Sequence, residues 1–425
     1  MLRQHEPLRS WGFVAGLWLG LIFLARIDMI LVLAVLPIPL IALAAMRRWT
    51  AGLTSFIVMF GLLALQSVLH AVLFAWPYTF NSYRSAALAL LGPGGVVWLG
   101  AGFIAAALLF VGVRWISRVE EARRNQWLRW LSMALIALVV VAALYAYFIR
   151  PAVETASTSD YWYGNSQITS TNRENLVRIG WYVTPLGLAV VLVGLCLMMR
   201  RERSLPVGMF LAVGLLSTTV YVINILNNPH HIYAMRRYVP VVIPAMMIWG
   251  AYGLAAISRA RWRGARLMTG LVLVAWLGGM IWQSRVIWRQ VDYTGMVTAL
   301  AQWDRELAPG AILLFDDQSP VGMGDVIGTP LRFIFDHPIF ALRNPHAVTP
   351  DALRALVQDW QQQGRTVYVV SESGKEVSIK DVLPMGKAQR FTFDTTVLLP
   401  TYTDYPNQVV PQRYDLKAQE VQTLP

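Results

Sequence analysis

The sequence predicts a polytopic α-helical membrane protein of about nine transmembrane helices with a C-terminal extracytoplasmic α/β domain. Only 14% of the 425 residues are charged and 56% are hydrophobic, whereas a soluble globular chain carries about 25% charged residues. The apolar residues before residue 284 are concentrated in runs long enough to cross a bilayer. After Ser284 the apolar runs become short and alternate with polar segments. We therefore expect a transmembrane domain over 1–283 and a soluble α/β domain over 284–425.

Nine apolar runs are the candidate spans, because about 20 helical residues cross a hydrocarbon core of roughly 30 Å. The runs are Trp11–Leu24, Met29–Met46, Ala51–Ala75, Val96–Val113, Leu128–Ile149, Gly180–Met199, Leu205–Leu226, Val239–Ile257 and Leu267–Trp282. Apart from Arg129, none of them contains a charged residue. A single helix over the first two runs would be about 54 Å long, too long for one span, so we expect a tight helical hairpin there.

The arginines predict the orientation of these spans. With nine crossings, one set of connections holds 16 of the 23 arginines that precede residue 284, and the opposite set holds seven. Because basic residues accumulate on the cytoplasmic side, we expect a cytoplasmic N-terminus and an extracytoplasmic C-terminal domain. The net charge of +12 is therefore explained by membrane topology, and we expect no nucleic-acid partner. Cys196 is the single cysteine, so no internal disulfide forms.

The region after Ser284 has the pattern of a parallel α/β sheet, in which helices alternate with strands. The predicted elements are helix Thr294–Leu307, strand Ala311–Phe315, helix Asp325–Phe335, strand Ile339–Leu342, helix Thr349–Gln363, strand Thr366–Ser371 and two added antiparallel strands, Arg390–Leu399 and Val409–Leu416. The segment Gly322–Asp325 partly matches a dinucleotide-binding loop, but its third glycine is misplaced and no P-loop lysine follows. A plain structural turn is the more common explanation of such a short match.

Two adjacent arginines, Arg236 and Arg237, lie at the predicted outer boundary of a span, against the positive-inside tendency. A guanidinium offers fixed, paired donors to a phosphate, so these residues are candidates for binding a lipid headgroup or a lipid-linked substrate. His230, His231 and Tyr238 accompany them and are candidate donors or acid–base groups. The alternative is that the arginines extend to the headgroups and the histidines are ordinary loop residues. Adjacent histidines point apart, so no metal site is predicted.

Two further outer segments carry candidate residues. Arg26 and Asp28 lie at the turn of the predicted hairpin, either as functional groups at membrane depth or as a local surface ion pair. Asp160, Tyr161 and Trp162 lie in a long outer loop. Aromatic faces beside a carboxylate suit a sugar, although tyrosine and tryptophan also concentrate at any membrane interface.

The segments Leu24–Asp28 and His230–Pro240, each at a helix junction, resemble motifs of a known family. This family is the C-type superfamily of multi-spanning, polyprenyl-phosphate-sugar-dependent glycosyltransferases, many of which also carry a soluble domain after their last span. The resemblance implies transfer of a sugar from a polyprenyl phosphate to an acceptor on the outer face of a bacterial inner membrane. It implies Arg236, Arg237, His230, His231 and Tyr238 as substrate-binding residues.

The sequence departs from this family in the position of its acidic residues. Family members place an acidic catalytic base in a long first outer loop, whereas the first outer loop here spans about four residues, Ala25–Asp28. The nine spans resemble the later part of a longer member, so a partner protein supplies the rest, a segment is missing, or activity has been lost. Asp28 and Asp160 are the candidate bases.

Two functions follow from the sequence. One is a glycosyltransferase-like protein of the cell envelope. We expect it to use no cofactor, and the sequence does not decide whether it needs a divalent cation. The other is a non-catalytic envelope protein whose outer α/β domain binds a partner. A transporter is disfavoured, because the spans hold almost no internal charges and no inverted repeat is visible.

Overall fold

The computed structural model describes residues 9–25, 35–76, 93–155, 158–163, 166–202, 204–225, 235, 237–316, 323–342, 348–399, 405 and 407–423. The chain forms two compact units. The first comprises Met1–Ile149, Leu186–Asn224 and Arg237–Leu271, and the second comprises Arg150–Pro185, Ile225–Arg236 and Val272–Pro425. The second unit therefore combines the predicted soluble domain with two of the predicted outer segments.

Helices dominate the part of the chain before residue 285. They are α1 Arg9–Ala25, α2 Pro37–Ala45, α3 Ala51–Leu73, α4 Pro93–Ile116, α5 Glu121–Leu144, α6 Asn175–Val183, α7 Pro185–Arg201, α8 Leu205–Ile223, α9 Val242–Ser258 and α10 Ala265–Ser284. A π-helical turn, Tyr145–Ile149, and one α-helical turn, Arg150–Val153, continue α5. A short antiparallel hairpin of β1 (Thr158–Tyr163) and β2 (Ser166–Thr169) precedes α6.

Among the described residues, four helices are long and apolar enough to cross a membrane. They are α3, α5 with its continuation to Val153, α8 and α10, and the bent pair α6–α7 makes a fifth if it counts as one span. In α3 and in the extended α5, none of the most apolar stretch is buried. Apolar side chains on all faces of a helix are typical of contact with lipid. The structure thus has the architecture of a membrane protein with several apolar helices.

Glycines allow close approach between helices within the first unit. An added Cβ at Gly16 of α1 would lie 2.5 Å from the carbonyl oxygen of Phe56 in α3. In α7, a Cβ at Gly194 would overlap the carbonyl oxygen of Trp249 in α9, and Gly253 lies against Gly194 from the α9 side. Small residues at such crossings let backbones meet, which is the common way that helices associate in lipid.

The run Gly180–Met199, predicted as one span, is divided in the structure. Helix α6 ends at Val183, α7 begins at Pro185, and the two axes differ by 100°. Thr184 between them has φ 68° and ψ 153°. Proline lacks the N–H that a continuing helix needs and disfavours α geometry in the residue before it. Mean hydropathy does not register this effect, so the prediction of an unbroken run was wrong.

The C-terminal domain is a five-stranded mixed sheet in the order β4–β3–β5–β7–β6. Its strands are β3 Ile312–Phe315, β4 Ile339–Ala341, β5 Val367–Glu372, β6 Met385–Leu398 and β7 Val409–Val421. Its helices are α11 Met296–Asp304, α12 Met323–Val326, α13 Gly328–Phe333 and α14 Pro350–Gln362. β4 and β5 pair with β3 in parallel, and β7 is antiparallel to both β5 and β6. The predicted strands and the antiparallel addition are confirmed, whereas the predicted helix Asp325–Phe335 is two short helices.

Two apolar cores lie on opposite faces of this sheet. One includes Leu300 of α11 and Leu331 of α13, and the other includes Val357 of α14. A Cβ on Gly324 would lie 3.3 Å from the Cβ of Phe315, and the side chain of Ile339 crowds Gly328. Close packing of α12 on β3 therefore explains why residue 324 is a glycine, without a role in binding a dinucleotide.

We expect Gly194→Ala to destabilise the membrane helices, because its Cβ meets backbone that has no room to move. Overpacking of this kind costs about 1–3 kcal/mol. The matched control is Gly208→Ala in α8, where an added Cβ meets nothing within 4 Å and alanine is the better helix former by about 1 kcal/mol. Thermal unfolding in detergent should show a lower midpoint for Gly194→Ala alone. Equal midpoints for the two variants would contradict the close α7–α9 contact.

Candidate functional site

A buried arginine marks the most unusual polar site in the second unit. Arg178 lies on α6 and only 3% of its surface is exposed. The apolar residues Leu176, Ile179 and Val183 recur at helical spacing and are buried as well. Arg178 therefore lies on or beside the buried face of an amphipathic helix. An arginine withdrawn from water needs compensating partners, so Arg178 marks a candidate functional site.

Arg178 is held by a carboxylate and an aromatic ring. Its Nη2 lies 3.3 Å from Oε2 of Glu174, one helical turn earlier, and its guanidinium lies 5.1 Å from the ring centre of Trp181. Glu174 also accepts from Nε of Arg173 at 3.3 Å, and Nη1 of Arg173 donates to the carbonyl oxygen of Glu154 at 3.0 Å. Two guanidinium groups thus share one carboxylate.

Aromatic rings extend the site on the side of Trp181. The ring of Tyr405 meets Trp181 and Tyr182 edge-on, with centroid separations of 6.2 Å and 5.8 Å. The Tyr405 hydroxyl donates to the carbonyl oxygen of Gln283 at 3.1 Å. Burial raises the pKa of Tyr405, an effect that the charge of Arg285 opposes, so the hydroxyl stays protonated as this bond requires. The site therefore joins guanidinium groups to flat aromatic faces.

Asn172 brings a second outer segment to the start of α6. Its Oδ1 accepts from the backbone N–H of Ile225 at 3.0 Å and from Nδ2 of Asn175 at 3.2 Å. Ile225 is the first residue of the segment Ile225–Arg236, which belongs to the second unit together with Asn172. Asn172 thus joins the residues just before α6 to the backbone at Ile225.

The bend after α6 is stabilised from α10. Nε1 of Trp276 donates to the carbonyl oxygen of Val183 at 2.7 Å. This carbonyl ends a helix and has lost its usual partner, and an unpaired carbonyl is costly away from water. The tryptophan therefore fixes the end of α6 and, with it, the position of Arg178.

Most of the residues singled out in the sequence lie where the structure gives no side-chain detail. Five lie outside the described residues: Arg26, Asp28, His230, His231 and Arg236. Asp160, Tyr161 and Trp162 lie in β1, where Trp162 is opposite Gln167 of β2, and only their backbone is described.

Two of the singled-out residues are described in the first unit. Tyr238 is buried, with its ring 6.5 Å from that of Tyr221 in an edge-on contact. Arg237 precedes it in a helical turn and is half-buried. The ring of Tyr238 therefore packs among helices, and its role in substrate binding stays a prediction.

Arg178 is one of the seven arginines in the predicted outer connections, but the sequence alone does not mark it as a site residue. The available signal was the spacing of Glu174 and Arg178, four residues apart at the start of an apolar run. Trp181 and Tyr182 lie in the predicted span Gly180–Met199, where aromatic residues are common. Nothing near Tyr405 in the sequence predicts its contact with α6. Within the described ranges, no three His, Cys, Asp or Glu side chains are arranged to hold a metal ion.

Comparisons of the chain with protein-family models, curated proteins and solved structures found no match. The function is therefore inferred from the residues and their arrangement.

We expect Glu174→Gln to destabilise the second unit, because it leaves the charge of Arg178 buried beside a weaker acceptor. A hydrogen bond to a charged group is worth about 1.5–3 kcal/mol. The matched control is Glu154→Gln, whose carboxylate pairs with Arg150 at 2.5 Å but is largely exposed, so its loss should cost under about 1 kcal/mol. Thermal unfolding of both variants in detergent measures the difference. A larger loss for Glu154→Gln would show that the buried pair is not the anchor of this site.

Proposed function

We propose that the chain is a membrane glycosyltransferase-like protein that transfers, or derives from proteins that transfer, a sugar from a polyprenyl phosphate to an extracytoplasmic acceptor. The observation that carries this proposal is the partly exposed guanidinium of Arg173, which is grouped with the buried Arg178 and the ring of Trp181 around Glu174 and α6. Guanidinium groups bind phosphate, and aromatic faces bind sugars. The resemblance of the segments Leu24–Asp28 and His230–Pro240 to the C-type superfamily supports the same reaction.

The proposal includes nine spans, a cytoplasmic N-terminus and a C-terminal domain outside a bacterial inner membrane. Each of the nine apolar runs overlaps a helix of the structure, which supports a helical structure for each predicted span, and four or five of these helices are long and apolar enough to cross a membrane among the described residues. The excess of arginines in one set of connections supports the orientation.

In the proposed reaction the acceptor hydroxyl oxygen forms a bond to the sugar's anomeric carbon as the bond from that carbon to the phosphate oxygen breaks. A carboxylate, for which Asp28 and Asp160 are the candidates, takes the proton of the acceptor hydroxyl. Arg236 and Arg237, with Arg26, His230, His231 and Tyr238, are proposed to hold the lipid phosphate. Their positive charge would stabilise the negative charge that develops on the departing phosphate.

The remaining roles concern the sugar and a protein partner. Tyr161 and Trp162 are proposed to contact the sugar ring. A partner protein is proposed to supply the acidic outer loop that this sequence lacks near Arg26 and Asp28.

A second candidate function is a non-catalytic envelope protein whose outer α/β domain binds a partner. In the outer segments that precede residue 284, the carboxylates whose side chains the structure describes, Glu154 and Glu174, both accept from arginines. A carboxylate engaged in this way is not positioned to take a proton from an acceptor. A transfer assay with radiolabelled lipid-linked sugars separates the two functions, since only the enzyme releases labelled product.

We expect the double variant Arg236→Ala/Arg237→Ala to lose binding of polyprenyl phosphate while it remains inserted in the membrane. Binding is measured with purified protein in detergent, and insertion by fractionation. The control is Arg47→Ala/Arg48→Ala, another adjacent pair, which the proposed topology places on the cytoplasmic side. Unchanged binding in the Arg236 and Arg237 variant would overturn the assignment of these residues. Loss of binding in the control as well would show that the effect is not specific to Arg236 and Arg237.

A further inference from the structure

The C-terminal domain exposes large apolar side chains on one of its two helical layers. Phe333 at the end of α13 is 79% exposed, and Ile334 beside it is 57% exposed. Val297 on the neighbouring helix α11 is 52% exposed. These helices cover the same face of the sheet, where Leu300 and Leu331 fill the core beneath them. A domain surrounded by water rarely presents such side chains together, so this layer has the character of a contact surface.

The segment that follows the last apolar helix also exposes large apolar side chains. Helix α10 ends at Ser284, and Trp288 and Val291, four and seven residues later, are each 66% exposed. Tryptophan is enriched where apolar and aqueous regions of a membrane meet. The segment therefore connects the end of a candidate span to the apolar layer of the domain.

Arginines lie beside the same apolar side chains. Arg332 is next to Phe333 and its guanidinium lies 5.8 Å from the ring centre. Arg289 follows Trp288 and is exposed. Arg285 at the end of α10 lies 4.0 Å from the ring centre of Trp282. Exposed aromatic and aliphatic groups with basic neighbours are the combination that binds at the boundary between headgroups and acyl chains.

The opposite helical layer provides a contrast within the same domain. Helix α14 covers the other core, and its surface carries ion pairs such as Arg354 with Asp351. Leu356 is its one large aliphatic side chain that is clearly exposed, at 45%. The two layers thus differ in chemistry, as expected if one faces lipid and the other faces water.

We propose that two exposed apolar groups of the second unit, Trp288 and Val291 with Arg289 after α10, and Val297, Phe333 and Ile334 with Arg332 on the helical layer, lie in the interface of the phospholipid bilayer. The arginines meet headgroup phosphates, and the apolar side chains enter the boundary with the acyl chains. The domain is then held against the membrane with α14 toward water. This proposal is independent of glycosyl transfer, because it concerns only where the domain contacts lipid.

Spin labels on the full-length chain test this proposal. In a Cys196→Ser background, Ile334→Cys carries a nitroxide and Leu356→Cys carries the matched control. Both side chains are exposed, so labelling disturbs neither core. The protein is placed at one copy per nanodisc of phosphatidylcholine with phosphatidylglycerol. Collision of the label with oxygen, which partitions into lipid, is compared with collision with a water-soluble nickel chelate.

We expect the label at Ile334 to favour oxygen several-fold over the control at Leu356, which should favour the nickel chelate. Preference for nickel at both positions would overturn the proposal. A label at Ile334 shielded from both reagents would also overturn it, since protein from the same chain would then cover the surface. Shielding that appears only when discs hold two copies would assign the surface to a second copy. Phe333→Cys repeats the measurement at the neighbouring position, so a single perturbed variant does not decide the outcome.

Discussion

The guanidinium of Arg178 is removed from water and must stay paired, and the residues around α6 are arranged to meet this requirement. Glu174 supplies the opposite charge, Trp181 covers the guanidinium plane, and Arg173 shares the carboxylate. Because burial of a charge is costly without such partners, α6 has little freedom to rotate or shift. The same contacts place positive charge and aromatic faces together, which is the chemistry that a lipid-linked sugar phosphate needs.

The bend at Thr184 makes this arrangement possible in an otherwise apolar run. If the helix continued straight through Pro185, α6 would be only the first part of α7. Because the helix breaks at Thr184, α6 is a separate amphipathic helix with its own buried face. The break exposes a helix-terminal carbonyl at Val183, which Trp276 satisfies at 2.7 Å. Asn172 fastens the other end of α6 to Ile225. The end of this nine-residue helix is thus held by a distant tryptophan side chain, and Asn172, just before its start, is held by a distant backbone N–H.

The sequence predicts well those features that depend on neighbouring residues. Thr349 caps α14 as its position before Pro350 implies, with its side chain accepting from the backbone N–H of Ala352. Short runs of apolar, β-branched and aromatic residues locate the buried strands β3 and β5. The bend was missed because hydropathy averages over Pro185. The role of Arg178 was missed because burial depends on tertiary contacts, and Tyr405 lies more than 200 residues from the rings that it meets. Roles for Arg236, His230, His231, Arg26 and Asp28, which lie outside the described residues, stay predictions.

The central claim is that the outer arginines recognise the phosphate of a polyprenyl lipid. Binding of a polyprenyl phosphate and of the corresponding polyprenol to the purified protein, measured side by side at two salt concentrations, tests it most directly. The account predicts that only the phosphate binds specifically and that its affinity falls as salt rises, because ion pairing is screened. Equal binding of the two lipids, or binding that is independent of salt, would contradict it.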